Sequence, residues 1–213
     1  SRAGLLTGQV PHTCGMYGLA HRGFAMRDNR MHLAQLLKQA GYETVLAGVD
    51  HTAPDMNMIG YDRIISDVDT NYNERKSPQE PADAAAEFLA SKPSKPFFLS
   101  VGLNETHRPL ESADPGNHPA EDPRYTMPPR PLPDRPETRK DAADLAASVR
   151  VMDEQYGKVL DALEENGLAA NTYVFCFSDH GLQFPRNMCN LDVHGTGVYF
   201  IARGPEYFER VKN

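Results

Sequence analysis

Pro96-Phe97-Phe98-Leu99-Ser100-Val101-Gly102 is the stretch that decides the fold. It is apolar at neighbouring as well as alternate positions, so it reads as a strand covered on both faces, as parallel sheets require. Thr44-Val45-Leu46-Ala47-Gly48 upstream has the same texture, as do Val174-Phe175-Cys176-Phe177 and Val198-Tyr199-Phe200-Ile201-Ala202 downstream. Helical spacing fills the intervals. It predicts a helix over about 30–40, with Leu33, Leu36 and Leu37 on one face and Gly41 as its stop. A second is predicted over 79–90, with Ala84, Ala85, Phe88 and Leu89 inward. A long one is predicted over 139–166, with Leu145, Val149, Met152, Tyr156, Val159, Leu160 and Leu163 aligned and Gly167 as cap. Strands alternating with helices imply an α/β fold, a doubly wound, mostly parallel sheet sandwiched by helices. No internal repeat is visible. Residues 1–213 read as a single domain, interrupted by a loop at about 109–136 that holds nine of the 17 prolines. A loop this long inside a compact domain is usually functional or disordered.

The bulk properties exclude several classes. At 213 residues, 40% of them hydrophobic, the chain can build one sizeable core. Nothing approaches the roughly 20 apolar residues that span a bilayer. A net charge of -7 and a pI near 5.6 argue against nucleic acid as a partner. An anionic substrate stays open, because a local arginine cluster and a divalent metal can override the global sign. Cys14, Cys176 and Cys189 form no Cys-x-x-Cys pair and read as free thiols, with Cys176 in the core.

In doubly wound sheets ligands gather beyond the carboxyl ends of the strands. His51, His107, Asp179 and His180 follow predicted strands. Asp179-His180-Gly181 offers a carboxylate and an imidazole, ligands for a divalent cation, with a glycine that lets the backbone turn closely. The same residues also suit an Asp N-cap beside a surface histidine. His107 can donate a proton near neutral pH, or can be a loop histidine bonded to backbone. Arg108 beside it is a fixed cation suited to an anion. His12, His21, His32, His118 and His194 read as structural or surface residues, and Cys189 as a plain thiol.

Four segments carry a resemblance. Ser1-Arg2-Ala3-Gly4-Leu5-Leu6-Thr7-Gly8 is similar to the second half of the sulfatase signature Cys-x-Pro-Ser-Arg-x-x-Leu-x-Thr-Gly. Gly48-Val49-Asp50-His51 resembles the family's Gly-Lys-x-His, and Thr106-His107-Arg108-Pro109 its Phe-x-Asp-Pro-His-x-Pro. Ser178-Asp179-His180-Gly181-Leu182-Gln183-Phe184-Pro185, with Arg203-Gly204-Pro205 after it, looks most like the heparan N-sulfatase branch. The resemblance implies an alkaline-phosphatase-like fold, truncated at the N-terminus within the active site. It implies a formylglycine nucleophile upstream of residue 1, and inactivity of the 213-residue chain alone. Arg2 would stabilise the charge of the formylglycine, His51 would touch its hydroxyl, and His107 would approach the leaving oxygen. Asp179 and His180 would bind Ca2+ or another divalent cation, with further ligands upstream. The implied substrate is a sulfated carbohydrate or other small sulfate ester, and the implied compartment periplasmic, secreted or lysosomal. Oligomeric state is not legible.

Two positions depart from the family pattern. Val49 stands at the lysine of Gly-Lys-x-His, and Met188 at a second sulfate-binding cation. Arg186, two positions from Met188, can substitute as a substrate-binding guanidinium, bidentate to sulfate. Beside a sulfuric ester or sulfamate hydrolase, two other readings therefore stand. One is a phosphate or phosphonate ester hydrolase of the same superfamily. The other is a degenerate, non-catalytic homologue that binds glycans.

Overall fold

The computed structural model describes residues 1–66, 80–110 and 116–205. The expected helix start at Gln79 and residues 111–115 of the Pro-rich loop lie outside them. The chain divides into two compact units, Ser1–Asn104 and Glu105–Asn213.

In the first unit, helix α1 (Arg2–Thr7) stops at Gly8, whose left-handed φ of 65° closes the last turn onto the Leu5 carbonyl. Helix α2 (Pro11–Cys14) and helix α3 (Leu33–Gln39) follow. α3 starts later than about 30 because His32 caps it, its Nδ1 accepting the Ala34 N–H at 3.1 Å. Leu36 does not share a buried face with its neighbours. It is 44% exposed, and Ala34 faces the core instead. Strand β1 (Glu43–Gly48), strand β2 (Arg63–Ser66), helix α4 (Glu80–Ala90) and strand β3 (Phe97–Gly102) complete the unit. The sheet order is β2-β1-β3, parallel throughout. β1 lies in the middle, and its Val45, Leu46 and Ala47 are fully buried. β3 is an edge strand of this sheet and half-buried, less covered than its composition suggests. On α4, Ala85, Phe88 and Leu89 are buried as expected, while Ala84 is half-exposed.

The register pairs Glu43 with Phe97 through Gly48 with Gly102, so β1 and β3 end side by side. Their backbones then come very close. A Cβ on Gly48 would collide with the Gly102 carbonyl, and one on Gly102 with the Val49 carbonyl. Gly48 also has φ 86°, which side chains with a Cβ resist. The Val49 N–H donates to the Gly102 carbonyl at 2.9 Å, and the chain then turns out of the sheet at Asp50 and His51.

The second unit contains helix α5 (Pro136–Glu165), strand β4 (Val174–Phe177), helix α6 (Val193–Thr196) and strand β5 (Phe200–Arg203). α5 begins three residues before the expected Arg139, because Pro136 at the first turn needs no N–H partner. Its buried stripe is Ala143, Ala147, Val151, Gln155 and Leu163, and Val149 is exposed. β4 and β5 pair antiparallel, from Val174 with Arg203 to Phe177 with Phe200. Cys176 is half-buried rather than core, whereas Cys14 is buried. Burial still pushes the Cys176 thiol pKa up, so it stays protonated.

The described part of the Pro-rich loop contains no helix or strand before α5, and arginines of that helix pin it. Arg139 donates to Asp134 Oδ2 at 2.7 Å and to the Arg124 carbonyl at 3.0 Å. Arg150 donates to the Pro119 carbonyl at 2.7 Å and pairs with Glu121. His118 meets Glu154 at 2.5 Å. Each exposed pair is worth little, but together they fix a segment with no ladder of its own. No helix among the described residues is long and apolar enough to cross a membrane.

Candidate active site

Each unit presents one cluster of the residues singled out above. In the first, Arg2 at the start of α1 donates from Nη1 to the Asp50 carbonyl at 3.2 Å. The signature arginine is thereby joined to the turn after β1 that carries His51. His51 adopts φ 59°, and its ring lies edge-on to His21 at 6.0 Å between centroids. His21, read from sequence as structural or surface, thus borders the cluster. Val49 is 6% exposed, so the position of the family's lysine is a packed apolar side chain.

Asp50 had no signal in the sequence. It is 2% exposed. Its Oδ1 accepts the Thr52 N–H at 3.1 Å and the Thr52 hydroxyl, and its Oδ2 accepts the Tyr61 hydroxyl at 2.8 Å. His32 Nε2 faces Oδ2 at 3.7 Å, with both side chains fully buried. Burial, with Asp50 alongside, pushes the Tyr61 hydroxyl pKa far up, so it remains a donor.

His32 yields a pH test. Burial lowers its pKa from the ordinary 6.5, outweighing the attraction of Asp50. The cap agrees, because Nδ1 can accept the Ala34 N–H only while unprotonated. Below about pH 6.5 the unfolded chain takes up a proton that the native ring refuses. Stability is therefore expected to fall as pH drops from about 7 toward 5. His32→Asn, which still caps but does not titrate, should flatten that slope in denaturant midpoints. An unchanged slope in the variant would assign the pH dependence elsewhere.

In the second unit, Asp179 and His180 follow β4 after one residue, Ser178. The next residue, Gly181, is held by its N–H to the Gly195 carbonyl at 3.0 Å, and a Cβ there would collide with the His194 carbonyl. His180 Nδ1 lies 2.7 Å from the Gly181 carbonyl, so it carries the hydrogen. In neutral imidazole that leaves the Nε2 lone pair, 3.6 Å from Asp179 Oδ1. Two ligand atoms on adjacent positions of a cation, with bonds near 2.4 Å, stand about 3.4 Å apart. The pair therefore fits two coordination positions. Among the described residues no group of three or more His, Cys, Asp or Glu is placed to hold a metal.

His107 is exposed, and its Nδ1 lies 2.7 Å from the Arg108 carbonyl, to which it donates. Arg108 is heavily engaged within the protein. Its N–H meets Gln183 Oε1 at 2.7 Å, Nε the Gln183 carbonyl at 2.9 Å, and Nη2 Asp141 at 2.6 Å. Its guanidinium also covers the Phe184 ring at 5.1 Å. Asp141 belongs to no motif, and Gln183, though it stands in the segment after β4, carried no sign that it partners Arg108. Arg186, at φ 65°, is exposed and makes no hydrogen bond or ion pair among the described residues. Met188 is half-buried, its N–H on the Leu182 carbonyl at 3.0 Å.

The family model described as Sulfatase matches residues 1–207. The chain belongs to the sulfatase family. Among curated relatives, human N-sulphoglucosamine sulphohydrolase is 30% identical over 238 residues, covering 99% of this chain and 46% of that protein. This sulfatase chain spans less than half the length of the curated relatives it matches. A solved protein from a Bacteroides thetaiotaomicron locus for metabolism of multiple glycosaminoglycans superposes with a TM-score of 0.72 at 19% identity, covering 96% of this chain and 54% of that one. A 2-O glycosaminoglycan sulfatase superposes at 0.63 and 20% identity, covering 96% and 53%. These likenesses show the alkaline-phosphatase-like sulfatase fold.

Proposed function

We propose that residues 1–213 belong to one catalytic domain of a hydrolase that cleaves a sulfate ester or sulfamate on a sulfated carbohydrate. The observation that carries the reading is the Arg2 bond to the Asp50 carbonyl at 3.2 Å, which joins the signature arginine to the His51 turn. The relative named N-sulphoglucosamine sulphohydrolase supports a sulfamate as one candidate bond.

A formylglycine, when hydrated, would supply an oxygen nucleophile for sulfur. Arg2 stabilises negative charge beside it, and preorganised charge of this kind is usually the largest catalytic term. His51 holds a hydrogen bond to the same group. His107, with Nδ1 fixed on the Arg108 carbonyl, delivers a proton from Nε2 to the departing oxygen or nitrogen. Asp179 and His180 would hold Ca2+ or another divalent cation, which would supply positive charge for an anionic substrate. Arg186 offers a guanidinium to the substrate anion, and Arg108 contributes charge from a fixed position. Borohydride reduction of the aldehyde in the full-length protein is expected to abolish sulfate release. Turnover that survives reduction would contradict the mechanism.

Val49 and Met188 favour weak holding of free sulfate, because neither side chain can donate to an oxyanion. Met188→Lys in the full-length protein is expected to raise kcat/KM for a sulfate ester at least about tenfold, or about 1.4 kcal/mol. Arg186→Ala is the paired measurement and is expected to lower it. If Arg186→Ala leaves the rate unchanged and Met188→Lys does not raise it, charge at this loop is irrelevant. The phosphate-ester or glycan-binding reading then leads.

A further inference from the structure

We infer that Asp50 is a positioning residue, which holds His51 and Arg2 in working geometry from beneath the site without touching substrate. The inference rests on the functional reading above, which gives His51 and Arg2 their roles. The Gly-Lys-x-His pattern leaves this position unspecified, so the role belongs to this chain's own residues.

Both ends of Asp50 are engaged. Its carbonyl accepts Arg2 Nη1 at 3.2 Å. Its carboxylate, 2% exposed, accepts the Thr52 N–H and hydroxyl on one oxygen and the Tyr61 hydroxyl on the other. His51 lies between Asp50 and Thr52 with a left-handed φ of 59°. A residue with a Cβ persists in that region only when its surroundings over-determine it. The over-determination is visible here. Thr52 is tied back across His51 to the same carboxylate oxygen, and Tyr61 fixes the other oxygen.

Tyr61 is itself immobilised. It stacks on Phe98 with centroids 6.3 Å apart and planes 7° apart, and meets His32 edge-on at 5.8 Å. The chain of restraint runs from the core of the first unit through Tyr61 and Asp50 to the two catalytic side chains. Buried polar groups in such a chain are costly to leave half-satisfied, so the carboxylate is better explained by what it orients than by stability.

The test uses full-length enzyme and compares wild type, Asp50→Asn, Tyr61→Phe and the double variant. Rates are taken per mole of folded protein, at a temperature below every variant's thermal midpoint. Asp50→Asn is expected to lower kcat about tenfold or more, and Tyr61→Phe several-fold, with KM within about twofold. The double variant should lose less than the product of the two, because both act along one path. If Asp50→Asn does not fold, Tyr61→Phe, which removes one hydroxyl, carries the comparison by itself. A fall in thermal midpoint with kcat per folded enzyme unchanged would overturn the inference and leave a purely structural network. So would a raised KM at constant kcat, which would place Asp50 in contact with substrate. A wild type that releases no sulfate from any ester or sulfamate would overturn the functional reading itself, and this inference with it. That outcome is distinct from an active wild type with indifferent variants.

Discussion

Asp179→Ala in the full-length protein is expected to abolish cation-dependent turnover, a fall of at least about a thousandfold. The reason lies in the pairing after β4. His180 keeps a hydrogen on Nδ1 for the Gly181 carbonyl, and its Nε2 looks toward Asp179 Oδ1 at 3.6 Å. A carboxylate oxygen and an imidazole lone pair at that separation are held together best by a shared cation or a proton. Hard cations depend on anionic oxygen, so removing the carboxylate should cost more than removing the neutral imidazole. Bound metal is counted by atomic spectroscopy beside the rate. A variant with normal metal content and normal rate would remove this turn from the metal site.

Arg2→Ala is expected to cost at least about a hundredfold in kcat, near 2.7 kcal/mol, with a smaller change in KM. Two things are lost together. The guanidinium charge goes, and the Asp50 carbonyl loses the donor that ties α1 to the His51 turn. Arg2→Lys should recover only part of the rate, because an ammonium is a point charge without the planar fork. Equal kcat in wild type and Arg2→Ala, both folded, would show that the signature arginine does not face the reacting group.

Elements set by their own pattern were legible in the sequence. β1 and β3 announce themselves by uninterrupted apolar runs, and α4 by Ala85, Phe88 and Leu89 at helical spacing. β2 was missed because Arg63-Ile64-Ile65-Ser66 is too short for periodicity to separate from a loop. α5 misled in part of its inner face, because Ala143 and Ala147 take buried positions while Val149 is exposed. Pattern reading weights large apolar residues, but close packing there is met by small ones.

The candidate site shows the same division. Arg2, His51, His107, Asp179 and His180 stand in segments whose residue order already suggests chemistry. Asp50 and Tyr61 do not, since what joins them is a buried hydrogen bond between positions eleven apart, outside any strand or α-helix. Arg108 read as a fixed cation suited to an anion, and Asp141 and Gln183 use three of its donors. A charge's partners far along the chain cannot be read from its neighbours.

The most direct measurement is inorganic sulfate released by the full-length protein from N-sulfated glucosamine and from an O-sulfated sugar, each set against a matched phosphate ester. Sulfate release is expected from at least one of the two, with kcat/KM at least about a hundredfold above the phosphate ester. A preference for the phosphate ester would contradict it, as would glycan binding with release of neither anion.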